Sequence, residues 1–210
     1  MAQSRIVVLN GGGLRSLVAL ATVANRQRVA TVFVHDGRLA NDYFHQAAAD
    51  QAKHFKVDRM VELAMPHLRP PATAKTLEKP QNYAPLASAQ MIVAVAGVAA
   101  QTSAEQLIWP VQPSADHDPM AAVSESLMII EDLVHTTLNS TTLKIETPLL
   151  EMTDRQLIEI GHQMDVPWQL ARTCIADRRD PCHSCWGCYH RRKAFEDAGI
   201  EDPQPSPLPR

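Results

Sequence analysis

All four cysteines of the chain fall in one late stretch, Cys174, Cys182, Cys185 and Cys188, in the pattern C-x7-C-x2-C-x2-C. Four thiolates this close together match the fully occupied tetrahedral shell of a structural zinc ion. The two C-x2-C steps let neighbouring thiolates chelate one metal from a tight turn, and Gly187 relieves the backbone there. Disulfides between cysteines so near in sequence would be strained, and nothing in the chain suggests secretion. The spacing therefore predicts a closed Zn2+ site that holds structure and leaves no coordination position open for chemistry.

At 210 residues, 45% hydrophobic and 20% charged, the chain is long enough for one substantial core with a small appended lobe. A formal charge of -3 gives no global attraction to nucleic acid, so no direct nucleic-acid partner is expected. No apolar run is long enough to span a membrane, and Ile6 to Leu9 is too short for a signal-peptide core. A cytoplasmic protein with reduced thiols is the expectation.

The chain in order alternates strands and helices. Arg5 to Leu9 is a β-branched apolar run that fits a strand buried on both faces. It stops at Asn10-Gly11-Gly12-Gly13, and Leu14 to Ala21 has helical periodicity. Val29 to Val34 reads as a second strand, ending at His35-Asp36-Gly37, and Asn41 to Phe55 as an amphipathic helix. Arg59 to Met65 gives a third strand. Ala84 to Thr102, apolar nearly all round, predicts a buried helix with Gly97 at a close contact. Leu107 to Trp109 begins a fourth strand. Ser124 to Asn139 is a helix with Leu127, Ile130, Leu133 and Val134 inward, and Thr142 to Glu146 is a fifth strand. Thr153-Asp-Arg-Gln156 is a capping box opening a helix over Asp154 to Met164. The proline-bearing stretch 66–83 and the segment 112–119 read as functional-looking loops that cover or line a site, although Asp116, His117 and Asp118 in the second, taken alone, read first as a solvated turn. The fold class is therefore α/β: a five-stranded, mostly parallel sheet with helices on both faces, and a four-cysteine lobe after it. The boundaries expected are 1–150 for the α/β domain, 151–202 for the lobe and 203–210 for a disordered tail.

A strand, a glycine turn and a helix N-terminus make an anion site, because helix-end N–H groups and the helix dipole converge there. The turn is not a Walker A motif, since its lysine and G-x4-G spacing are missing. It comes near the dinucleotide fingerprint, with Ser16 in place of the third glycine and Asp36 where a ribose-binding carboxylate belongs. From this half alone a nicotinamide-binding protein is a rival reading, as is a glycine turn that merely joins a strand to a helix.

Taken with the cysteine cluster, the turn resembles the PP-loop ATP pyrophosphatase superfamily, and within it the 7-cyano-7-deazaguanine synthase family of queuosine-precursor biosynthesis. The match is carried by Ile145-Glu-Thr-Pro-Leu149, Gly161, Val166-Pro167, Thr173-Cys174, the later three cysteines, Arg191, Ala194-Phe195, Ala198-Gly199 and Asp202-Pro203, with Pro80-Gln81-Asn82 more weakly. The resemblance implies an ATP-dependent ligase. ATP and Mg2+ adenylate the carboxylate of a deazapurine, ammonia gives the amide, and a second ATP activates the amide for dehydration to the nitrile. It further implies that Asn10, Gly11, Gly12, Gly13, Arg15 and Ser16 surround the pyrophosphate, that Val34 and His35 flank the adenine, and that the protein is a homodimer.

The chain departs from the family's S-G-G-x-D-S loop, reading Asn10-Gly-Gly-Gly-Leu-Arg-Ser16, so that Leu14 or Arg15 stands at the acidic position. Arg15 could itself pair with phosphate or occupy the site. The family's aromatic-Gly-Gln-Arg-His segment is reduced to His35-Asp-Gly-Arg38, and its Pro-Asp-Cys-Arg segment is replaced by the 116–118 loop. Beside the ligase stands the alternative of a catalytically degenerate PP-loop protein that binds a nucleotide or a protein partner.

Overall fold

The computed structural model describes residues 5–24, 28–70, 84, 86–112 and 120–204. Five strands, β1 (Arg5–Leu9), β2 (Arg28–His35), β3 (Arg59–Ala64), β4 (Gln106–Ile108) and β5 (Lys144–Glu146), form one sheet in the order β3-β2-β1-β4-β5. All four neighbouring pairs are parallel. The strand order reverses direction between β1 and β4, which is where open α/β sheets place ligands. The expected parallel sheet is thus what the chain forms.

The alternation of side chains along β1 divides the core. Val7 and Leu9 face α3 (Ala87–Gln101) and α4 (Met120–Leu138), with Ile92, Val95, Ile130 and Val134 packed on them. Ile6 and Val8 face α1 (Leu14–Val23), where Leu17 and Val18 meet Leu157 and Ile158 of α5 (Asp154–Gln163) and Phe195 of α6 (Trp186–Ala198). On that same face α2 (Asn41–His54) covers Phe33 with Phe44 and Ala48. The capping box at α5 forms as read: Thr153 Oγ1 accepts from Gln156 N, and Gln156 Oε1 accepts from Thr153 N at 2.9 Å.

Several expectations are corrected. Helix α3 is not buried all round: Val93 is 37% exposed, and a Cβ added at Gly97 would meet nothing within 4 Å. One side of α3 packs on the sheet, so a nearly uniform apolar sequence concealed which side it was. Leu133 does not share the inner face of α4, being 51% exposed, and α4 begins four positions earlier than Ser124, at Met120. Helix α6 had no counterpart in the sequence reading. Its buried positions are Gly187, Cys188, Arg191, Ala194 and Phe195, so a cysteine and an arginine occupy the slots where apolar residues would have announced it. Residues 71–83, 113–119 and 205–210, which include Pro80-Gln81-Asn82, the Asp116–Asp118 loop and most of the expected tail, lie outside the described residues.

Arg191 closes the C-terminal end. It is 2% exposed, donates from Nε and Nη2 to both oxygens of Asp202 (2.8 and 2.7 Å), and donates to the carbonyls of Ala171 and Trp168. Removing one partner of a buried, hydrogen-bonded pair strands the other and its carbonyls. Arg191→Ala is expected to lower stability by about 3–5 kcal/mol in urea unfolding, and loss of under 1 kcal/mol would contradict the role given to this pair.

Candidate phosphate-loop and metal site

The loop after β1 is shaped by its asparagine. Asn10 is fully buried; its Oδ1 accepts from Gly12 N (2.9 Å) and its Nδ2 donates to Ala48 O of α2 (3.1 Å). Gly12 has φ +75°, and a Cβ there would stand 2.2 Å from Phe44 O, so no other residue fits between the loop and α2. Gly13 precedes the first turn of α1, and its N–H donates to Ser16 Oγ at 3.1 Å. The loop thus brings Gly11, Gly12, Gly13 and Ser16 to the N-terminus of α1, while the Asn10 side chain is spent on holding the turn.

Arg15 belongs to that first turn, but its guanidinium is engaged to one side. Nε donates to Gln112 Oε1 at 2.6 Å, Nη2 lies 4.0 Å from Asp154, and Gln112 Nε2 donates onward to Met152 O. Arg15 therefore links the end of β4 to the start of α5. At the end of β5, Thr147, Pro148, Glu151, Met152 and Gln156 line an open cavity of about 590 Å3 beside these groups. Strand β2 outruns β1, whose pairing stops at Val32, so Val34 and His35 do reach the carboxyl edge. The Val34 side chain is buried in the α3–α4 core. The His35 ring turns to Glu62 of β3 and Asn41 of α2.

Next to them lies a buried carboxylate that the sequence reading had weighed as a ribose ligand. Asp36 is fully buried and held by Arg38 through both oxygens and by Arg69 at 2.9 Å. Arg38 also donates to Gly11 O (3.2 Å) and lies over the Phe44 ring. With its oxygens so engaged, Asp36 anchors two cations beside the loop and does not serve as the acceptor of a dinucleotide fingerprint.

The cysteine lobe reaches the same loop through Arg172. Its N–H donates to Gly12 O (2.8 Å), while its guanidinium donates to the carbonyls of Cys174, Ala176, Arg178 and Arg179. Gln51 of α2 adds a bond to Leu170 O. Neither contact has a sequence signature, since both run between segments far apart in the chain. The four sulfurs converge as expected, with all ligand atoms within 4.8 Å of one another. Cys174 Sγ is 3.6 Å from Cys182 Sγ and 4.0 Å from Cys185 Sγ. A tetrahedron of sulfurs about 2.3 Å from zinc has edges of about 3.8 Å, so the set fits a single ion. A multi-iron cluster, which holds each thiolate on a different metal, would spread them further. Gly187 is required at the start of α6, where a Cβ would meet Thr173 O at 1.9 Å. Contacts with Cys174 and Cys188 lower the pKa of Cys185, and contacts with Cys174 and Cys185 raise that of Cys188.

A parallel sheet whose first strand enters a helix through a glycine loop, with a four-cysteine lobe braced against that loop, defines a PP-loop α/β protein with a four-cysteine appendage. The chain belongs to the family described as queuosine biosynthesis protein QueC, whose model matches residues 5–199. It is 26% identical over 215 aligned positions to the 7-cyano-7-deazaguanine synthase of Chloroherpeton thalassium, covering 95% of both chains. It is 41% identical over 61 positions to the same-named protein of Methanothermobacter thermautotrophicus, which covers 29% of this chain and 28% of that one. Among solved structures it resembles the U34-tRNA thiolase NcsA from Methanococcus maripaludis with its [4Fe-4S] cluster (TM-score 0.55, 10% identity, 93% of this chain and 65% of that one). That likeness shows the fold.

The buried Asp36 has a pH signature. Burial alone would raise its pKa; the charges and hydrogen bonds of Arg38, then of Arg69, overcome that and lower it from 3.8 to about 2. A depressed folded-state pKa adds stability above the unfolded value and loses it as pH falls through the folded one. Asp36→Asn is therefore expected to cost about 2 kcal/mol in urea unfolding at pH 6. The gap to wild type should close as pH falls from about 4 to 2; a gap constant over that range would contradict the assignment.

Proposed function

We propose that the protein is an ATP-dependent ligase of the 7-cyano-7-deazaguanine synthase type. It would adenylate a deazapurine carboxylate and convert it with ammonia to the amide and then the nitrile. The observation that carries this reading is the family match over residues 5–199, which takes in both the glycine loop and the cysteine lobe. In this reading Gly11, Gly12, Gly13 and Ser16, at the dipole-positive end of α1, receive the phosphates of ATP–Mg2+. Arg38 and Arg69, fixed by Asp36, supply positive charge beside them. The main chain at Val34 and His35 flanks the adenine. The carboxylate oxygen attacks the α-phosphorus and pyrophosphate leaves; ammonia then displaces AMP from the acyl carbon. In the second round the amide oxygen is adenylated and departs with AMP as the nitrogen loses its protons. Zinc at Cys174, Cys182, Cys185 and Cys188 supplies a rigid wall and no chemistry, since four thiolates close its coordination.

Two further assignments follow the same reading. The outer side of α4 carries Met128, Ile129 and Leu133, each at least half exposed, and this apolar strip supports a homodimer. Among the described residues no helix is long and apolar enough to cross a membrane, in keeping with a cytoplasmic biosynthetic enzyme.

A second reading, a nucleotide-binding protein without turnover, has its own observation: Arg15, at or beside the family's acidic position, is turned aside to Gln112, and no carboxylate takes its place in the loop. Losing a group aimed at phosphate chemistry costs orders of magnitude in rate. Incubation of the metal-loaded protein with ATP, Mg2+, ammonium and 7-carboxy-7-deazaguanine separates the two. The ligase reading predicts AMP and pyrophosphate released in proportion to nitrile, and loss of both in Gly12→Ala. ATP–Mg2+ binding by calorimetry with no product, and turnover gained in Arg15→Asp, would support the second reading; no binding at all would sink both.

A further inference from the structure

Away from the glycine loop and the cysteines, three side chains converge on the α2-covered face of the sheet. Phe33 and His35 stand two apart on β2, and Glu62 of the neighbouring β3 is in register with Phe33, so all three point to one face. Helix α2 lies over that face and brings His45. His35 Nε2 and His45 Nε2 each lie 2.9 Å from a different oxygen of Glu62. The three ligand atoms fall within 4.8 Å of one another. Phe33 forms an apolar floor, edge-on to both imidazoles at 4.9 and 5.2 Å between ring centroids.

As an ion-pair cluster the group is incomplete. His45 Nε2 is buried yet makes no hydrogen bond, being misaligned with the carboxylate it approaches. Asn41 Oδ1 is likewise buried without a partner, although the amide nitrogen of the same side chain lies 2.7 Å from His35 Nδ1. A cation among the three groups changes this for His45. It would take the lone pair of His45 Nε2. It would also require His35, bound through Nε2, to carry its proton on Nδ1. With the Asn41 amide turned over, that Nδ1–H donates to Oδ1, the outer contact by which metal-bound imidazoles are oriented.

We propose that His35, His45 and Glu62 form a second metal site, for a divalent transition-metal ion, separate from the cysteine site. Two imidazole nitrogens and one carboxylate suit zinc and its neighbours, whereas magnesium and calcium take oxygen ligands. All three side chains are about one-third to one-half exposed, so an ion can enter from solvent. Three protein ligands leave at least one position open to water or an anion, in contrast to the closed sulfur set.

The test is metal stoichiometry and affinity in the untagged full-length protein, by elemental analysis after zinc saturation and by competition with a chromophoric chelator. Wild type is expected to hold two zinc ions per chain. His45→Ala and Glu62→Ala should each retain one, and the retained ion, held by the cysteines, reports that the fold survives. Asn41→Ala should weaken the second site about 10–100-fold. One zinc per chain in wild type, or a second zinc that persists in both His45→Ala and Glu62→Ala, overturns the site. An unchanged affinity in Asn41→Ala overturns the positioning role given to Asn41.

Discussion

Arg172 is the residue on which the two ends of this chain depend. Its main chain accepts the place next to the glycine loop by donating to Gly12 O, and its guanidinium gathers four carbonyls between Cys174 and Arg179. A guanidinium presents its donors in a fixed fork. The backbone of the first cysteine segment is therefore set in one shape relative to the loop, 160 positions earlier in sequence. Tyr43 lies under the same guanidinium at 4.8 Å from its ring centroid, which brings α2 into the arrangement. Gly187, unable to carry a side chain against Thr173 O, then seats α6, with Cys188 in its first turn and Cys185 just before it, on the other side of the segment. A metal ion in the sulfur set would in this way brace the loop from behind without touching a ligand in front of it.

Charge around the loop follows a consistent plan. Asp36 is buried with Arg38 and Arg69 fixed on it, and Arg38 reaches Gly11 O. One buried anion thus orients two cations toward an edge where the helix dipole already favours negative charge. Arg15 is turned to Gln112 and Asp154, so its charge sits over the β4–β5 side and not within the turn. The acidic position missing from this loop is not replaced by another carboxylate among the loop residues.

The sheet was legible because buried parallel strands are short β-branched runs, and β1 and β2 are that. The cysteine set was legible because soft ligands at C-x2-C spacing have few other uses. Helix α6 was not, since Cys188 and Arg191 hold its inward positions, Cys188 among the other cysteines and Arg191 paired with Asp202. Gly97 was misread for a related reason: small residues in an apolar helix do not say which side is covered. At the site, Gly11 to Ser16 could be read from the turn, but Arg172, Gln51 and Arg69 could not. Each acts through a contact that topology alone creates. His45 and Glu62 are invisible for the same reason, since strand register and helix placement bring them to His35.

The cysteine lobe and the glycine loop are joined by Arg172 into one mechanical unit. Hydrogen exchange on metal-loaded wild type and Arg172→Ala measures it directly, because exchange protection reports local opening. The account predicts faster exchange both in residues 174–180 and in residues 11–16, where Gly12 and Gly13 N–H groups are hydrogen-bonded in the intact loop. Faster exchange confined to 174–180, with 11–16 unchanged, would contradict it.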